Sequence, residues 1–173
     1  MSVIKIPLTE IRGKIQMYPE NWINMKETNC YAYALGLDIK ESDICKNAYQ
    51  PGTISETVNL RQYESFPYEV LISGLENDLD VLGINYRLIK PDEKIELNEW
   101  KIVLMVKKYC DGLDNFHFLR QDIDGIWSHK VGYQHRISRK DSLGCIISNP
   151  IESHFFFYTY DKCYALRLNK KFK

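Results

Sequence analysis

Leucines recur at helical spacing in one long stretch of the chain. Those at positions 71, 75, 79 and 82 fall on one side of a helix, which predicts an amphipathic helix over 68–82. The runs at 84–89 and 100–109 are rich in β-branched and aromatic residues, and these runs predict strands. The second of them is apolar enough to lie at the centre of a sheet.

Two hairpins are predicted in the second half of the chain. One surrounds DIDG at 122–125, and the other joins the runs at 154–160 and 163–168. Because predicted helices come first and strands follow, the expected fold class is α+β with a largely antiparallel sheet. No repeat, low-complexity segment or linker interrupts the chain, so residues 1–173 are expected to form one domain.

Composition removes several classes of function. The 23 basic residues balance the 23 acidic ones, which gives no reason to expect binding to nucleic acid or to an anionic membrane. No apolar run approaches the roughly 18 residues of a membrane span. The run MSVIKIPLTEIRGK has neither the apolar stretch nor the small-residue cleavage site of a secretory signal, so we expect a cytoplasmic protein, or one exported without a cleaved signal. Five cysteines without disulfide or zinc spacing predict no metal, and no organic cofactor is expected.

The segment ETNCYAYALG, residues 27–36, places a thiol at a predicted helix start. A short helix is expected from Thr28 to Leu35, with Thr28 as the cap and Gly36 as the left-handed closing residue. Cys30 would then be the second helical residue, where free N–H groups and the helix dipole favour a thiolate. The same N–H groups could bind the oxyanion formed when the sulfur attacks a carbonyl. Cys30 is therefore the candidate nucleophile.

The DIDG hairpin carries two histidines. A type I turn closed by a left-handed Gly125 puts Asp122 opposite Ile126 and His129 opposite Leu119. His117 and His129 then share one face as diagonal neighbours. A two-residue loop would instead put Ser128 and Lys130 on the face of His117. The type of turn therefore decides whether the two histidines share a face.

A nearby imidazole would activate the thiol, and His117 is the candidate general base. A base of this kind needs a third polar group that fixes its tautomer. His129 is the first candidate for that role, and the alternatives are Asn149, Asp122 and Gln121. The remaining histidines, 135 and 154, have no such setting and are expected to be structural or surface residues.

These segments together resemble a group of bacterial and phage proteins with a papain-like, NlpC/P60-type cysteine hydrolase fold. The resemblance rests on NCYAYALG (29–36), QPG (50–52), and FHFLRQDIDGIWSHKVG (116–132), followed by ISNP (147–150) where the group has I-x-D-P. Val131 and Asn149 stand where proline and aspartate are common in the group. The resemblance implies that Cys30 is the nucleophile and His117 the base, with the cysteine on a helix packed against the sheet that carries the histidine.

The leading hypothesis is a cysteine peptidase or amidase that cleaves a peptide, an isopeptide or a glutamine side chain through a Cys30 acyl-enzyme. Its partner would be a peptide or protein substrate. Two alternatives remain open at the level of sequence. An amine could replace water as the acyl acceptor, as in a transglutaminase-like effector. The same fold could also serve as a non-catalytic binding or immunity-type module, for which 12 tyrosines and 3 tryptophans would supply an aromatic surface.

Overall fold

The computed structural model describes residues 7–15, 17, 28–37, 50–58, 67–109, 112–131 and 136–169. Within them, three helices precede six strands, in the order expected for the α+β class. The helices are α1 (Leu8–Gly13), α2 (Cys30–Leu35) and α3 (Tyr68–Leu82). The strands are β1 (Ile84–Ile89), β2 (Glu99–Tyr109), β3 (Gly112–Gln121), β4 (Trp127–Lys130), β5 (Ile137–Ser138) and β6 (Thr159–Leu168).

The six strands form one antiparallel sheet in the order β1-β6-β2-β3-β4-β5. Strand β2 lies between β6 and β3, which confirms its predicted central position. The predicted hairpin of residues 154–160 with 163–168 is wrong, because 159–168 is one continuous strand. Strand β6 pairs with β1 on one side and β2 on the other, and these non-local ladders keep it extended.

Helix α3 has the predicted bounds, and its four leucines are buried against the sheet. It ends at Gly83, whose φ of 70° is the left-handed conformation that glycine adopts without strain. None of the helices in the described ranges is long and apolar enough to cross a membrane.

The sheet separates two clusters of buried side chains. The helix-side cluster contains α2, α3 and the strand residues that face them, among them Leu104 and Phe118. The outer cluster covers the opposite face and includes Met105, Leu119 and Phe155. Successive strand residues point to opposite faces, so Phe118 of β3 belongs to the helix-side cluster and its neighbour Leu119 to the outer cluster.

The loop of residues 50–58 is fastened to α3 by a buried carboxylate. Asp78 is fully buried and accepts hydrogen bonds from the backbone N–H groups of Gly52 (2.8 Å) and Ser55 (2.7 Å). It also accepts one from the Tyr31 hydroxyl (3.0 Å), which ties α2 to the same point. One turn earlier in α3, a Cβ on Gly74 would lie 2.9 Å from the Pro51 backbone, so the loop can approach only a glycine. The segment NAYQPGTISE (47–56) is punctuated by Pro51 and Gly52, which predicts a loop, and its residues 47–49 lie outside the described residues.

Candidate active site

Helix α2 begins one residue later than the sequence indicated. Its cap is Asn29, whose side-chain oxygen accepts the Ala32 N–H at 2.9 Å, and the prediction of Thr28 as the cap is wrong. Both residues carry a capping oxygen, and the backbone turns into the helix only after Asn29. Cys30 is consequently the first helical residue rather than the second. The helix ends at Gly36 with a φ of 73°, as predicted.

Hydrogen bonds to β4, β2 and α3 are among those that hold α2 in place. The hydroxyl of Tyr33 is 2.6 Å from that of Ser128 in β4, and the Trp100 indole donates to the Ala34 carbonyl at 3.2 Å. The bond from Tyr31 to Asp78 supplies the third contact, on the side of α3. With its apolar side chains fully buried, the helix start is fixed against β3 and β4.

The histidine hairpin has the predicted turn and register. Gly125 has a φ of 85°, and the Asp122 N–H donates to the Ile126 carbonyl at 2.8 Å. Leu119 pairs with His129, so His117 and His129 lie on the same face, as expected. Their rings make a direct hydrogen bond, with His117 Nε2 and His129 Nδ1 2.9 Å apart.

A backbone carbonyl determines the tautomers of both rings. His129 Nε2 is 2.9 Å from the Lys140 carbonyl, which can only accept, so this nitrogen carries the proton. In a neutral ring, His129 Nδ1 must then be the acceptor, and His117 Nε2 donates to it. His117 is left with an unprotonated Nδ1, for which the described residues supply no hydrogen-bond partner. Position 117 therefore presents an oriented, unused base nitrogen.

Burial keeps both rings neutral. His117 contacts the rings of Phe155 and Tyr158 at centroid distances of 6.3 and 5.6 Å, and only 8% of the residue is exposed. Desolvation, with a smaller contribution from the neighbouring His129, lowers the pKa of His117 to about 3. Burial also lowers the pKa of His129, and its bond to the Lys140 carbonyl opposes that shift.

The other three candidates for the third group have different partners. The Asn149 side chain accepts the Ile151 N–H at 3.1 Å and shapes its own loop. Gln121 donates to the Gly125 carbonyl at 2.9 Å across the hairpin turn. Asp122 accepts from Ser128 and Arg139, both at 2.8 Å. Among the four candidates, His129 is the one hydrogen-bonded to His117.

The Cys30 thiol lies at an open edge of β3. The Asp122 N–H points towards β4. Backbone N–H groups alternate in direction along a strand, so those of Arg120 and Phe118 point the same way. Pairing between β3 and β4 ends at Leu119, one residue short of Phe118. The Phe118 N–H lies close to the Cys30 sulfur and lowers its pKa. The thiol therefore lies beside the peptide bond that joins His117 to Phe118.

The structure does not bring Cys30 into hydrogen-bond contact with either histidine, although all three residues are described. Cys30 packs on the helix-side cluster, whereas the His117 ring contacts Phe155 of the outer cluster. The two side chains thus approach the same stretch of β3 from its two faces.

The expectation of a thiolate near neutral pH is wrong for the resting protein. Although part of Cys30 is exposed, burial of its thiol raises the pKa to about 11. The backbone N–H groups of Phe118, Tyr31 and Cys30 lower it, as does the charge of Lys130, but desolvation is the larger effect. A helix start favours a thiolate only as far as its surroundings remain polar.

Sequence reasoning assigned no role to the alternate residues of the same hairpin. Arg120, Ser128 and Lys130 face α2 and are buried, with exposed fractions of 2%, 0% and 0%. Ser128 links Tyr33 to Asp122, and Arg120 lies within 3.4 Å of the Tyr33 carbonyl. The predicted register, which places both histidines on one face, also places these polar residues on the other face. That placement was the signal in the sequence that they contact the helix.

Cys145, Cys163 and His154 lie away from the two histidines and Cys30. Cys163 is buried in the outer cluster, whereas Cys145 and His154 are exposed on the loop after β5. Cys45, Cys110 and His135 lie outside the described residues. Within the described ranges, no group of three or more His, Cys, Asp or Glu side chains is arranged to hold a metal ion.

Comparisons of the chain with protein families, with curated proteins and with solved structures found no match.

Proposed function

We propose that the protein is a thiol hydrolase that cleaves an amide bond through a covalent acyl group on Cys30. The observation that carries the proposal is the chain from the Lys140 carbonyl through His129 to His117. It leaves His117 Nδ1 as an unprotonated nitrogen with no partner among the described residues. His117 directly precedes Phe118 in the chain, and the Phe118 N–H lies beside the Cys30 sulfur. The base is oriented by a second group, and its strand also contacts a thiol at a helix start, so the two groups that nucleophilic catalysis requires are carried by one stretch of β3.

The proposed reaction starts from a neutral thiol and a neutral imidazole. As the sulfur attacks the substrate carbonyl, the thiol proton passes to His117 Nδ1. The proton then moves to the leaving amine, and an acyl-thioester remains on Cys30. Water, deprotonated by His117, attacks the thioester, which releases the carboxylic acid product and restores the thiol.

This sequence of steps requires the thiol and His117 Nδ1 to approach each other when substrate binds. Catalytic hydrogen bonds are often long in the free protein and tighten in the substrate complex. The open edge of β3 at Phe118 supports such an approach, because β4 does not pair with the strand there. We also propose a papain-like fold. It is supported by the order of elements along the chain, in which the helix that carries the thiol precedes the strand that carries the histidine in an antiparallel sheet.

A binding module on the same fold is the second candidate. It is favoured by one observation, the raised pKa of Cys30, because a neutral buried thiol is a weak nucleophile. Such a module would use the aromatic residues around His117 only to contact its binding partner, and it would show no turnover.

Hydrolysis by the Cys30→Ala variant separates the two candidates. The wild-type protein is incubated with peptides, isopeptide-linked conjugates and glutamine-containing peptides, and bond cleavage is followed by mass spectrometry. We expect cleavage in one class to fall at least about 1,000-fold on substitution, because the acyl-enzyme cannot form. Cys145→Ala, which removes an exposed thiol, serves as the control and should retain wild-type turnover. Equal turnover by Cys30→Ala and the wild type would refute the thiol mechanism.

A further inference from the structure

Strand β4 presents two of its residues to α2. Trp127 and His129 face the outer cluster, so Ser128 and Lys130 face the helix. The contact between Ser128 and Tyr33, at 2.6 Å, fixes how the strand lies against the helix.

The positions of Lys130 and Cys30 relative to each other follow from that contact. Cys30 precedes Tyr33 by three residues, about 4.5 Å along the helix axis. Lys130 follows Ser128 by two residues, about 6.6 Å along the strand. Arg120 contacts the Tyr33 carbonyl, and the ring of Phe118 lies 5.1 Å from that of Tyr31, so α2 and β3 run back towards their starts side by side. Because β4 is antiparallel to β3, Lys130 lies at the same end as Cys30, where its charge acts on the thiol. Lys130 is fully buried, so this charge acts in a medium of lower dielectric constant than water.

We propose that Lys130 is a positioning residue whose ammonium group stabilises the thiolate that Cys30 forms during attack. The inference rests on the proposed function and extends it by naming the cation at the site. The neutral His117 supplies a base but no positive charge before proton transfer, and Lys130 supplies that charge from the helix side. Other ionisable groups on this side include Tyr31 and Tyr33 on α2, Asp78 on α3, Arg120 on β3, and Asp122 of the hairpin turn with its partner Arg139.

The test compares Lys130→Met, which keeps the length of the side chain without its charge, with Lys130→Arg, which keeps the charge. The full chain is alkylated with iodoacetamide across roughly pH 6 to 10, and the rate at Cys30 is read by peptide mass spectrometry. We expect Lys130→Met to slow alkylation of Cys30 about tenfold or more throughout this range, all of which lies below the thiol pKa of about 11. Lys130→Arg should remain within about threefold of the wild-type rate.

Two controls separate charge from packing. Ser128→Ala disturbs the same interface without changing charge and should leave the pH profile of Cys30 in place. The exposed Cys145 should react at the same rate in every variant. Lys130→Gln replaces Lys130→Met if the latter does not fold, with the same expected slowing.

Superimposable Cys30 profiles for the wild type and a folded neutral variant would overturn the inference, as would an equal shift in Ser128→Ala. Alkylation requires no turnover, so its outcome is independent of the hydrolysis assay. A protein that hydrolyses nothing but shows the Lys130 effect would refute the proposed function and leave the electrostatic role intact.

Discussion

Replacement of His117 by alanine is expected to slow acylation of Cys30 by about 100-fold, the low end of the contribution of a positioned general base, because burial makes this imidazole a weak base. The Cys30 thiol has a pKa of about 11 and is almost entirely protonated at neutral pH, so attack depends on proton removal. His117 Nδ1 is the oriented acceptor for that proton. The measurement is nitrophenolate release from p-nitrophenyl acetate in the first turnover, with the modified cysteine identified by peptide mapping.

Two further variants define the role of the imidazole chain. His129→Phe removes the acceptor that orients His117 and should slow acylation less than His117→Ala, because Nδ1 is still present. His154→Ala, at an exposed histidine of the loop after β5, should leave the rate unchanged. A His117→Ala protein that acylates Cys30 at the wild-type rate would show that another group takes the proton.

The second large effect is a loss of stability in acid. The pKa of His117 falls from 6.5 to about 3 in the folded protein because the ring is desolvated. Above pH 6.5 the ring is neutral in both states and contributes no pH dependence. Below it, the unfolded chain binds a proton that the folded protein excludes, so the free energy of unfolding falls by about 1.4 kcal/mol per pH unit. This loss continues until the pH approaches the folded pKa of about 3.

Between pH 6.5 and about 4.5, His117 alone should therefore cost about 2 to 3 kcal/mol of stability. Urea unfolding of the wild type and of His117→Gln at a series of pH values measures this contribution as the difference between two slopes. His154→Gln, at the exposed histidine, should keep the wild-type slope. Buried groups that do not contact His117, such as Asp78 and Asp122, titrate in all three proteins and cancel in the comparison. Equal slopes for the wild type and His117→Gln would contradict the buried, neutral imidazole.

Local patterns predicted the parts of the fold that local forces determine. The leucine spacing of 68–82 was sufficient for α3, since a long amphipathic helix needs only one apolar face. The DIDG turn fixed the register of its hairpin, and the register brought His117 and His129 together. Each of these features depends on residues close in sequence.

Non-local packing determined what the sequence did not show. The second predicted hairpin failed because β6 pairs with β1 and β2, which lie far from it in sequence. The pKa of Cys30 depends on which groups surround the sulfur after folding, and no spacing of residues reveals that desolvation. Likewise, the helix pattern of α3 gave no sign that Asp78 would hold the loop at Gly52 and the hydroxyl of Tyr31.

The most direct test of the account is to capture the acyl group itself. The wild-type protein is mixed with p-nitrophenyl acetate, quenched in acid within the first turnover, and digested for peptide mapping by mass spectrometry. The account predicts one acetyl group on the peptide that contains Cys30, lost in time as water clears the thioester, and far less on that peptide in the His117→Ala variant. An acetyl group found on the exposed Cys145 alone, or an unmodified Cys30 after many equivalents of ester, would contradict it.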